Sequence, residues 1–197
     1  MRSWLPICVA LMLCGCNMVH SDHPLFAAAD GAAVPAFRTG VWATPDPACD
    51  FDPNLPLARW PGCAHGQAYN RGDPEMQALL LVPGRPSIMQ FGGGKPGGPP
   101  NKPLAYFFFG VDVLRRDADG RIVAMKTWPV ECGPPRPIRP NHKGPTGTLA
   151  PWPGLIMDAD GDNCTATSTE PVRAAAALSR PASPAVGGAY WVRDGDD

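Results

Sequence analysis

The sequence predicts a mainly β fold: a small antiparallel sandwich or barrel-like domain with long Pro/Gly loops, one short C-terminal helix and two disulfides. Three observations predict it. The 197 residues include 26 Pro and 22 Gly, a density of breakers that excludes long helices and leaves short strands and turns. Phe107, Phe109, Val111 and Val113 recur at every second position, the period of a strand. Beyond the first 16 residues the cysteines are Cys49, Cys63, Cys132 and Cys164, an even set that reads as a covalent frame in an oxidising compartment.

The chain opens with Met1-Arg2-Ser3 and runs apolar from Trp4 to Leu13. A bilayer-spanning helix needs about 20 apolar residues, so this run is too short. A basic start, a short apolar core and a small-residue exit describe a secretory signal. Its exit, Leu13-Cys14-Gly15-Cys16, resembles the lipobox of bacterial lipoproteins, in which a leucine-type residue and two small ones precede an acceptor Cys. Cys14 at the second position departs mildly from that pattern. Cys14 is not itself the acceptor, because Leu13 is too large to precede the cut.

The resemblance implies that residues 1–15 are removed, that Cys16 carries a thioether-linked diacylglycerol, and that the new amino terminus is acylated in turn. One acyl chain gives marginal binding and two or more give stable anchoring. Asn17, rather than Asp, after the acceptor implies sorting to the outer membrane, with the domain on its periplasmic face. A plain secretory signal followed by a coincidental Cys is the alternative.

Residues 16–36, small and polar, read as the lipidated Cys and a flexible tether, which for a coil of about 20 residues reaches on the order of 25 Å. Residues 37–197 then form a single β-rich domain. A first strand ends near Thr44, ahead of the Pro45-Asp46-Pro47 turn cluster. Trp60 stands close to Cys63, as an aromatic packed against a bridge would. Asp73-Pro74-Glu75 has the form of a helix N-terminus, whereas Leu79–Val82 and Ser87–Phe91 flank Pro83-Gly84, a pair suited to the centre of a type II turn in a hairpin.

Residues 92–103 are a breaker-rich loop. The long hairpin follows, with Asp117-Ala118-Asp119-Gly120 as its turn. A second proline-rich loop leads to a short apolar run, the related turn Asp158-Ala159-Asp160-Gly161, and Cys164. Thr167 to Arg180 is the one good helix, with Ser168 placed to cap it and Pro171 in its first turn. Ala189–Val192 closes the fold as a strand. The bridges expected on locality are Cys49 to Cys63 and Cys132 to Cys164, although sequence leaves all three connectivities open.

Chemistry is sparse. The net charge of −1 offers no basic face for nucleic acid. Asp158, Asp160 and Asp162 alternate as in the start of a calcium loop, but Asn163 stands where such loops carry Gly, and a hairpin turn accounts for the same residues. Phe91–Pro96 fails the P-loop spacing. His65 or His142 with an acidic partner would be the base of a periplasmic hydrolase, and Cys63 with Cys49 and His65, or with His142, would need reduced thiols. His20 and His23 in the tether are candidates for loose copper or zinc capture.

No cofactor is expected. The expectation is a lipid-anchored envelope protein with a non-catalytic binding or structural role. Its partners are the membrane, through the lipid, and an envelope protein, an envelope polymer or a small apolar ligand. A hydrolase and a calcium-stabilised module are the alternatives.

Overall fold

The computed structural model describes residues 17–31, 37–69, 79–93, 105–135, 149–159, 161–182 and 187–195. Cys16, the Asp73-Pro74-Glu75 segment, His142 and Asp160 lie outside them, as does most of each proline-rich loop. The described strands are β1 (Val19–Ser21), β2 (Gly40–Ala43), β3 (Gln67–Tyr69), β4 (Leu79–Val82), β5 (Ser87–Gly93), β6 (Ala105–Arg116), β7 (Ile122–Pro129), β8 (Ile156–Met157), β9 (Cys164–Thr165) and β10 (Gly187–Arg193). One helical turn, α1 (Ala28–Gly31), joins the expected helix, α2 (Thr169–Ala182). The fold is therefore mainly β, as its composition implies. No helix among the described residues is long and apolar enough to cross a membrane.

All ten strands belong to one sheet that branches at β6. One edge of β6 pairs with β5, and β5 with β4. The other edge is shared, because β7 takes Phe109–Arg116 while β1 takes Tyr106 and Phe107. From β7 the sheet continues through β10 and β2 to β3; from β1 it continues through β9 to β8. Pairing is antiparallel except between β1 and β9, which run parallel.

β6 can serve both branches because its alternating apolar residues feed two cores. Phe108, on one face, packs with Ile88, Val82, Val130 and the α2 residues Val172, Ala175 and Ala176. Val111, on the other, packs with Leu81, Trp42, Ile122 and Ala189. The Trp128 indole N–H donates to the Ala176 carbonyl at 2.9 Å, fastening α2 to β7. Alanines on that side of α2 let the helix lie close to the sheet.

The hairpins lie where turn chemistry put them. Gly120, at φ 78°, takes the left-handed position of the β6–β7 turn. Asp117 closes that turn, accepting from the backbone N–H of Asp119 at 3.0 Å and of Arg121 at 2.9 Å. The β4–β5 turn departs from expectation: a type II turn places its third residue at positive φ, and Gly84 does not adopt it.

The expected tether is corrected. Val19 is fully buried and Phe26 nearly so, and the Val19 N–H donates to the Val130 carbonyl at 2.9 Å. Val19-His20-Ser21 alternates in and out like any strand, and burial of Val19 and Ser21 outweighs the freedom that a small polar composition suggests. The folded domain thus begins by residue 17, not residue 37.

Both disulfides follow the local pairing. Cys49 and Cys63 are joined with Cα atoms 5.6 Å apart, and Cys132 and Cys164 with Cα atoms 5.8 Å apart. Trp60 packs on Phe51, ring centroids 4.7 Å apart, within the loop that the first bridge closes.

Candidate functional site

Strand register builds a transverse row across five strands on the face away from α2. Phe91 on β5 pairs with Phe107 on β6, Phe107 with His20 on β1, His20 with Thr165 on β9, and Thr165 with Ile156 on β8. Directly paired residues point to the same side of a sheet and stand about 4.8 Å apart. Phe91 and Phe107 stack at 5.7 Å, Phe109 lies 5.5 Å from Phe91, and the His20 ring is 6.4 Å from Phe107.

The row changes character at its midpoint. His20 Nε2 lies 2.6 Å from Asp158 Oδ2, and the Thr165 hydroxyl donates to Asp158 Oδ1 at 2.9 Å. Both side chains are about one-fifth exposed. His20 Nδ1 is buried with no hydrogen-bond partner among the described residues, so within them the imidazole is oriented through Nε2. At the far end Ile156 is 58% exposed, a large apolar side chain facing solvent. Three aromatic rings, a charged and hydroxylated centre and an aliphatic end therefore share one surface. Phe91, Phe107 and Phe109 belong to neither buried cluster of the described residues.

Sequence reading placed His20 in a solvated tether and so missed its pairing with Asp158. The available signal was the alternation Val19-His20-Ser21, three residues long. Asp158 was singled out for calcium, but both its oxygens are engaged by His20 and Thr165. Its turn closes as a hairpin, with Asp158 N–H donating to the Asn163 carbonyl at 3.0 Å. Asn163 turns inward, its Oδ1 accepting from Met18 N–H at 3.1 Å. No group of three or more potential metal ligands occurs among the described residues.

The other expected residues stay apart from this surface. His65 Nε2 is 3.4 Å from Asp46 Oδ1, with both side chains more than half exposed. Cys63 is bonded to Cys49, which removes it as a thiol nucleophile and as a zinc ligand.

The fold and this surface together define a disulfide-braced, mainly β domain with an amphipathic sheet face. Comparison with protein-family models, curated proteins and solved structures yields no match.

Proposed function

We propose that the protein is a lipid-anchored component of the cell envelope, held by acylation of Cys16, that binds a small, largely apolar ligand on its β5–β6–β1–β9 face. The observation that carries this reading is the juxtaposition of the Phe91, Phe107 and Phe109 rings with the His20–Asp158 pair on one surface. Aromatic faces take apolar groups, and a few fixed polar groups orient them. Spacings of 5.7 and 6.4 Å from Phe107 to its two ring neighbours suit a small molecule. A stable protein interface needs about 800 Å² from each partner, more than three rings and the His20–Asp158 pair supply.

The reading is tested with the membrane-extracted chain. Intact-mass measurement checks acylation, and titration with an apolar naphthylamine fluorophore checks the face. Phe107→Ser should weaken the fluorophore by about tenfold, equivalent to ~1.4 kcal/mol, with the circular dichroism spectrum retained. Unchanged affinity in that variant would remove the binding face, and a mass without acyl chains would remove the anchor.

A further inference from the structure

The chain enters the fold beside the Cys132–Cys164 bridge. Asn17, the residue after the proposed lipid acceptor, is built into the domain rather than leading up to it. Its side-chain amide donates to the Gly133 carbonyl at 3.3 Å, and its backbone N–H donates to Asn163 Oδ1 at 3.4 Å. Its carbonyl accepts from Cys132 N–H at 2.9 Å. The next residue, Met18, bridges to Glu131, and Cys164 N–H donates to the Met18 carbonyl at 3.3 Å. Cys132 and Cys164, joined to each other, thus bracket the entering chain from both sides.

Consecutive Cα atoms are about 3.8 Å apart. A lipid on Cys16 would therefore reach the folded domain with no intervening linker, and the surface around Asn17 would stand at headgroup depth. We infer that this end of the domain is a membrane seat, formed by Asn17 and the segments 133–135 and 149–153, which holds the protein against the bilayer surface in a fixed orientation. The inference rests on the proposed acylation of Cys16.

The chemistry of that surface suits the occupant. A Cβ on Gly133 would overlap the Ala150 carbonyl, so the two segments lie against each other. Trp152 N–H donates to the Cys132 carbonyl at 2.6 Å, placing the tryptophan beside the residue that holds Asn17. Pro134, Pro135, Ala150, Pro151 and Pro153 are exposed and Trp152 is half-buried. None of these side chains is charged, so seating them costs little desolvation, and Trp152, whose ring packs against the core beneath the exposed prolines, lies close enough to that surface to report contact with the bilayer.

The test uses the full acylated chain in phosphatidylethanolamine–phosphatidylglycerol vesicles whose acyl chains are brominated near the headgroup. Bromine quenches tryptophan fluorescence at short range. A seated domain should show strong quenching, reduced by at least about half in Trp152→Phe. It should lose most of that quenching when roughly 20 residues, Asn followed by a Gly/Ser run, are inserted between Cys16 and Asn17. Quenching that is absent from a chain of triacylated mass, or unchanged by the insertion, overturns the seat while leaving the anchor standing. A chain of unmodified mass overturns the anchor and the seat together.

Discussion

Gln90 holds Phe26 in place across 64 residues of sequence. Its side-chain oxygen accepts from Phe26 N–H at 3.0 Å and from Leu25 N–H at 2.9 Å, and its amide donates back to the Phe26 carbonyl at 3.0 Å. Gln90 is 3% exposed, so its side chain stands in for a neighbouring strand that the N-terminal segment lacks. Gln90→Met keeps the volume and removes all three bonds, leaving the Phe26 and Leu25 backbone groups unpaired. An unsatisfied buried group costs about 1–3 kcal/mol, and guanidinium denaturation should show a loss of about 3 kcal/mol. A loss below ~1 kcal/mol would mean that water satisfies these groups equally well.

Gly110 makes room for Trp128. The two residues are paired across β6 and β7, and a Cβ on Gly110 would overlap the indole ring. Trp128 is 1% exposed and bonded to α2, so it has nowhere to retreat. Overpacking a core typically costs about 1–3 kcal/mol. Gly110→Ala should lie at the upper end of that range, with the near-ultraviolet dichroism of the tryptophan altered. A melting temperature equal to the parent's would show that the indole can shift.

Which features were legible follows from how local their causes are. The β6–β7 hairpin needs only a period of two and an Asp-Ala-Asp-Gly turn, and both lie within some 25 contiguous residues. The helix Thr169–Ala182 and the strand ending at Ala43 are similarly written in neighbouring residues. β1 was illegible because three residues carry no usable periodicity. Its place is decided by β6 and β9, more than 80 positions downstream, as that of the following Leu25 and Phe26 is by Gln90. The transverse row was hidden for the same reason, since register between distant strands brings Phe91, Phe107, His20 and Thr165 together. The Cys132–Cys164 pair was legible as a bridge, but its position astride the entering chain was not.

That second bridge should matter more than the first. It spans 32 residues against 14, and loop-closure entropy assigns about 3.7 kcal/mol to the longer loop and about 3 kcal/mol to the shorter. The longer bridge also ties together the two segments that hold Asn17 and Met18. Replacing Cys132 and Cys164 together by Ala should therefore lower stability more than replacing Cys49 and Cys63. It should also expose residues 17–21 to rapid amide exchange. Protection of those amides that equals the parent's would show that β1 is held by its strand partners alone.

The β6–β7 turn gives the protein an acid-sensitive clasp. Burial alone would raise the Asp117 carboxyl, but hydrogen bonds from the Arg121 backbone and guanidinium, with the Arg121 charge, outweigh it and hold the group below its ordinary value of 3.8. Arg38 stands 3.7 Å from the same carboxylate and also pairs with Asp194 at 3.0 Å, while Asp119 shares Arg121 at 2.6 Å. The clasp therefore links the hairpin tip to the segments before β2 and after β10. Because the folded group is the stronger acid, the unfolded chain binds more protons between the two pKa values, and stability rises with pH there. The contribution is complete above about pH 5, falls as pH drops through 3.8, and is gone below the folded value. Asp117→Asn should lower the melting temperature at pH 7 and flatten its dependence on pH below 5. A variant whose acid limb keeps the parent's slope would assign acid sensitivity to other carboxylates.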